Sequence, residues 1–284
     1  MRNRGVFALS SSHCRTFINA SLVASAISIP WPATAQADSK ISALVTLELK
    51  RQFGTAEQLD DAINKTYGER LPPDKAKVAR DAFRSVLFNS ATPSHITKLV
   101  APLYRPNITR EEVANAMLEG IAQMQIKGLS RLAPDRQSAF VAHMVTMMRA
   151  IDPSDCKALY LGRMDTRASA VLERRYIAQL PLQKFVSVTN LYKEASEAEL
   201  VGFPDARTIN AQQAKLAETA YDTASIARMR AQVPRAALQR VGQSPDSAEP
   251  EEVCAVLAAT LGGMLDLTEP YRSWQLTRFM ASIQ

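Results

Sequence analysis

The fold class this sequence predicts is all-α, a multi-helix bundle of antiparallel helices following a cleaved signal peptide. Three observations carry the helical part: apolar residues recur at spacings of three and four almost throughout, glycine is scarce at ten in 284 residues, and no sustained alternating β-branched run occurs.

The leader is read from residues 1–37, which hold Arg2, Arg4 and Arg15 and no acidic residue. A mainly apolar or small-residue stretch, Phe17 to Ile29, follows the basic part, in the order of a signal peptide. Pro30 and Pro32 break any helix there, and Ala35-Gln36-Ala37 supplies a small-x-small recognition pattern, so cleavage is expected between Ala37 and Asp38. The apolar stretch falls short of the roughly 20 residues that span a bilayer, and no later stretch is long and apolar enough, so no stable membrane span is expected after processing. Cys14 precedes the apolar run and cannot be a lipid-anchored first residue. The alternative is a mitochondrial transit peptide, since the segment is rich in Ser and Arg; the Ala-x-Ala site favours the periplasm or secretion.

The elements follow in order. Ile41, Leu44, Val45 and Leu49 mark a helix ending near Gly54, and Thr55 with Gln58 forms a capping box for a second through Tyr67. Pro72 and Pro73 open a third, carrying Val78, Ala82, Phe83, Val86 and Leu87. A short helix with Ile96, Leu99 and Val100 follows Pro93 and stops at Pro102 and Pro106. Thr109-Arg110-Glu111-Glu112 is the clearest start signal in the chain; its helix carries Val113, Met117, Ile121, Met124 and Leu129 and is expected to stop at Gly128. Another spans Pro134 to Ile151. Asp152, with Pro153 in the first turn, caps a helix that places Cys156 near its start. Helices are then expected at 165–180, 182–201, 208–232 and 234–242, and beyond Gln243 to Glu252, a polar and acidic stretch with two prolines that reads as a linker. Short proline-containing joins favour antiparallel neighbours. The predicted organisation is a signal peptide at 1–37, an N-terminal helical part at 38–151, and a C-terminal helical part at 152–284 with its linker at 243–252.

Tyr104 followed by Ile108-Thr109-Arg110-Glu111-Glu112-Val113 resembles the Tyr…Phe-Thr-x-Glu-Glu-Leu segment of a family of small exported bacterial helical proteins of unknown function. The resemblance covers residues 96–132 and departs at the Phe-Tyr and Ser-x-x-Gly elements, which this chain lacks. It implies export and a helical fold, and no activity.

Composition narrows the function. The chain has 34 Lys and Arg against 28 Asp and Glu; without the three leader arginines, 31 stand against 28, a net of +3. That is a poor basis for a nucleic-acid footprint, which needs a clustered basic face. Arg228, Arg230, Arg235 and Arg240 read as a solvated face near a helix end. Cys156 and Cys254 are the two cysteines beyond the leader, and in an oxidising compartment they are expected to pair. Two buried thiols or a bond between subunits are the competing readings.

Catalytic chemistry finds little support. His95 and His143 are the histidines beyond the leader, and neither accompanies a Gly-x-Ser-x-Gly elbow or a reactive-Cys signature. His143, Met144, Met147 and Met148 offer soft ligands on one helix, with Met117 and Met124 as further sulfurs; imidazole and thioether suit copper(I). The same residues also continue the apolar stripe from Phe140 as gap-filling core. Glu69, Glu119 and Glu173 are conceivable hydrolytic carboxylates among Arg and polar neighbours. Interaction anchors could come from Tyr160, Arg163, Arg174, Arg175 and Tyr176, or from Tyr271, Trp274 and Phe279. The expectation is a non-enzymatic exported protein, without cofactor, that binds another protein. Its concrete forms are an immunity protein against an envelope-targeted toxin or an envelope assembly or chaperone factor; the alternatives are a carboxylate-dependent envelope hydrolase and a small-ligand or copper carrier.

Overall fold

A computed structural model of the chain describes residues 35–101 and 109–283. It is all helical, with no strand among the described residues. Thirteen helices are described: α1 Ala35–Phe53, α2 Ala56–Tyr67, α3 Pro73–Leu87, α4 Thr92–Val100, α5 Arg110–Leu129, α6 Pro134–Met148 and α7 Pro153–Tyr160, then α8 Thr166–Gln179, α9 Leu182–Val201, α10 Ala211–Gln232, α11 Arg235–Gln243, α12 Pro250–Gly262 and α13 Tyr271–Ser282. No helix among the described residues is long and apolar enough to cross a membrane.

Local chemistry sets most starts. The Thr55 hydroxyl accepts from the Gln58 N–H while the Gln58 side chain accepts from the Thr55 N–H, and Thr109 with Glu112 repeats the arrangement at α5. The Asp152 carboxylate accepts from the Ser154 N–H at α7, with Pro153 inside the first turn. Asn210 and Gln213 make a third box at α10, so that helix begins at Ala211 rather than 208. Of the predicted leader only its end is described: Ala35, Gln36 and Ala37 run continuously into Asp38 within α1. The rest of the leader, and Tyr104 and Ile108 of the resemblance segment, lie outside the described residues.

The chain divides into two compact units, and each draws on separated stretches of sequence. Among the described residues, the first holds 133–176 and 207–283, and the second 35–132 and 177–206. In the second, α9 lies against α5 and α3, while α1 packs on α4, α2 and α5. Phe185 of α9 is fully buried and sits 5.6 Å, ring to ring, from Tyr67, with the Lys75 ammonium 5.7 Å from its ring centroid. The Lys75 ammonium also donates to the Ala178 carbonyl at 2.6 Å. Gly128 does not stop α5, which runs one residue further. A Cβ at Gly128 would lie 1.7 Å from the Ala195 carbonyl oxygen, so glycine there is what lets α5 and α9 approach.

The first unit is organised around α12, which touches α6, α7, α10 and α11. Val253, Cys254, Val256, Leu257, Ala258, Ala259 and Leu261 are all buried, the pattern of a helix surrounded on every side. The α10 helix packs on both α12 and α13, and the Thr260 carbonyl accepts from the Tyr221 and Ser225 hydroxyls. Residues 244–249 join α11 to α12 and are held in place: Lys157 donates to the Asp246 and Ala248 carbonyls at 2.7 Å each, Arg163 pairs with Asp246, and Ala248 is buried.

Candidate functional site

The most developed solvent-facing apolar feature belongs to the second unit, where α9 ends. Val201 is 70% exposed and Phe203 72% exposed, the two largest values among the big apolar side chains described. Gly202 stands between them in the left-handed region at φ 70°, where a side chain would be strained and glycine is not. Its N–H donates to the Ala198 and Glu199 carbonyls, and the Phe203 N–H returns to Ala198, closing the helix end.

Arg131, just past α5, fixes this tip from below. Its Nε donates to the Glu199 carboxylate at 2.7 Å, and one Nη1 donates to both the Gly202 and Pro204 carbonyls at 3.1 Å. Both partners of the ion pair are largely withdrawn from solvent, at 20% and 12% side-chain exposure, so the charge is poorly screened and the geometry is held more firmly than in a surface pair. One guanidinium thereby orients the carbonyls on either side of Phe203, and the ring points outward from an ordered base. Asp205, Ala206, Arg207 and Thr208 continue as exposed chain until Asn210 caps α10. An exposed Phe on a backbone fixed at the neighbouring carbonyls matches the aromatic enrichment of protein-binding surfaces; nothing in the tip supplies a nucleophile or a proton-transfer pair.

Sequence reasoning did not single out Val201, Phe203 or Arg131. The available signal was Gly202 after a long helical stretch followed by Phe-Pro-Asp, a C-terminal stop leading into chain that cannot bury its aromatic. The clamp itself was invisible, since Arg131 and Glu199 are 68 residues apart.

The cysteines expected to pair, Cys156 and Cys254, come to disulfide distance, joining α7 to α12 within the first unit, with Cα atoms 5.8 Å apart. Both are buried, and the Met148 sulfur lies 4.0 Å from that of Cys156. Met147 and Met148 are buried in the first unit, Met144 is half-buried, and Met117 and Met124 are buried in the second unit instead. The His143 Nε2 is buried 3.5 Å from a Glu173 carboxylate oxygen, and its ring is 5.6 Å from that of Tyr176. Among the described residues no group of three or more His, Cys, Asp or Glu is placed to hold a metal ion.

Glu69 and Glu119 are exposed. Asp222 was not foreseen: partial desolvation, with Glu218 one turn away, pushes its carboxyl above the usual range while Arg278 opposes the shift. Of the predicted interaction anchors, Tyr160, Tyr176 and Phe279 are buried, so their rings serve packing rather than recognition. Trp274 is half-buried, edge-on to Tyr271 at 5.7 Å. Arg228 is not on a solvated face either: it donates to the Gly262 carbonyl and pairs with Asp266 at 2.6 Å. Comparison with known proteins returns no matching family model, no matching curated protein and no matching solved structure.

Proposed function

We propose that this chain is an exported, non-enzymatic helical protein that binds another protein, and that Val201 and Phe203 are its principal contacts. The observation that carries this reading is the tip itself, two apolar side chains held in solvent by a partly buried ion pair. Leaving such groups in water forgoes burial that contributes about 1.5 to 3 kcal/mol per side chain, and a partner surface would recover it. Export is supported by the acid-free, Arg-bearing leader with its Ala35-Gln36-Ala37 pattern, and by a cysteine pair at disulfide distance. The compartment is the periplasm or the exterior. The role is that of an immunity protein masking an envelope-targeted toxin, or of an envelope assembly or chaperone factor.

Affinity capture tests it, with residues 38–284 as bait in a non-reducing envelope extract, beside a Val201→Asp, Phe203→Asp bait of unchanged helicity. One partner in stoichiometric amount, lost with the double variant, is the expected result; tight binding of one cognate protein identifies an immunity role, and weak binding of several clients a chaperone. Capture undiminished by the substitutions removes the tip from the reading. Mass spectrometry of the processed chain is expected to find Asp38 at its amino terminus, and a longer start defeats the cleavage assignment.

A further inference from the structure

We propose that the chain between α9 and α10 is a processing site, cut at the Arg207–Thr208 bond by an endoprotease of basic primary specificity, and that the product is a two-chain protein joined through Cys156 and Cys254. Endoproteases bind substrate as an extended strand, pairing with its main-chain N–H and C=O groups and reading alternate side chains in pockets. A helix must unravel before it can be gripped in this way. Residues 203–209 need no unravelling. They have no helical structure, Phe203 to Thr208 are all exposed, and among the described residues no backbone–backbone hydrogen bond ties Asp205 to Ile209. The segment is anchored at its ends only, by Arg131 on the Gly202 and Pro204 carbonyls and by the Asn210 box at the start of α10.

Arg207 is the basic residue of this segment, and the other described basic residues outside helices are worse presented. Arg70 precedes Leu71, which is buried, and then Pro72. Arg149 sits in the turn that closes α6, its N–H on the Thr146 carbonyl and its guanidinium on the Gln232 side chain, and Arg163 sits in the tight turn after α7, its N–H on the Ala158 carbonyl and its guanidinium on Asp246. Arg131 is committed to the clamp. The reaction is hydrolysis: water oxygen bonds to the Arg207 carbonyl carbon, the bond to the Thr208 nitrogen breaks, and a carboxylate and an ammonium remain at the new ends.

Chain topology sets the outcome of the cut. The broken bond lies inside the stretch bounded by Cys156 and Cys254, 98 residues apart. The carboxyl-terminal product carries α10 to α13 and the amino-terminal product carries α6 and α7, and α12 packs against both of those. The two pieces therefore stay covalently linked and packed as one unit. This consequence rests on the paired state of the cysteines, whereas the site of cutting does not.

The test uses the processed protein and a catalytic amount of trypsin under native, non-reducing conditions, with timed samples run with and without reductant and the fragments weighed by mass spectrometry. The expected first products end at Arg207 and begin at Thr208, migrate as one species unreduced and as two reduced, and keep the helical circular dichroism of the intact chain. Arg207→Gln and Thr208→Pro, which keeps the arginine but places proline after it, are both expected to lose this first cut. A first cut elsewhere, or a cut at Arg207 only after the helical signal falls, overturns the site. Cutting at Arg207 with fragments that separate unreduced overturns the two-chain product alone.

Discussion

The two units reach stability by different means. The first wraps its helices around α12 and brings Cys156 and Cys254 to disulfide distance, where a bond ties two stretches of chain distant in sequence at one point. Each of its stretches is incomplete alone. The second has no cysteine among its described residues and depends on contact: the Gly128 approach of α5 to α9, the Phe185 ring against Tyr67, and the part-buried Arg131–Glu199 pair. The contrast teaches that one helical chain can combine a unit limited by chain entropy with one limited by packing, and that substitutions should separate the two.

The largest effect is expected from Cys254→Ser. Removing a crosslink across about 100 residues costs about 4 to 5 kcal/mol in the chain-entropy model, and hydrogen exchange followed peptide by peptide should show the loss in residues 133–176 and 207–283, with 35–132 protected as before. Equal deprotection of both units breaks the comparison. Phe185→Ala should act in the opposite place, costing about 3 to 5 kcal/mol through the cavity left at a fully buried ring, with exchange rising in α3, α5 and α9 and no dependence on reductant. Smaller and parallel are the caps: Thr109→Ala at α5 and Asn210→Ala at α10 should each cost about 1 kcal/mol, and a denaturant titration in which either costs nothing detaches that box from stability.

The smallest effect is a pH dependence confined to the second unit. Burial disfavours the His95 imidazolium and holds its pKa below 6.5, with Lys127 and Lys98 adding to the depression and Glu199 opposing it. As pH falls, the unfolded chain therefore takes up the proton first, so stability present above about pH 6.5 declines as pH drops towards the folded pKa. A melting series across that window should show the decline, and His95→Gln should flatten it; an unaltered slope would assign the dependence to other groups.

Much of the helical outline was legible in the sequence because its signals are local. Thr55 with Gln58, Thr109 with Glu112, and Asp152 with Pro153 each place donors and acceptors within four residues, and the structure shows those bonds. Gly128 was misread because a glycine that ends a helix and one that admits a neighbouring helix look alike until the neighbour is known; Ala195 is 67 residues further on. Tyr160 and Tyr176 are candidate anchors by sequence together with Arg163, Arg174 and Arg175, yet both rings are buried while Arg163 and Arg175 are exposed. The tip at Val201 and Phe203 was missed for the same reason as its clamp: exposure of an aromatic is decided by what fails to cover it, and no local pattern records that.

The interleaving of the two units has a consequence for the order in which the chain is made. The second unit has all its residues once synthesis passes 206, while the first waits for its central helix α12, which ends at Gly262, and then for α13. At roughly 5 to 20 residues per second, the interval between Cys156 and Cys254 is about 5 to 20 seconds of elongation. For that time Cys156 of α7 lacks Cys254, and α6 and α7 have no central helix to cover them. A nascent molecule of that length thus holds every residue of the second unit while the first still lacks its central helix.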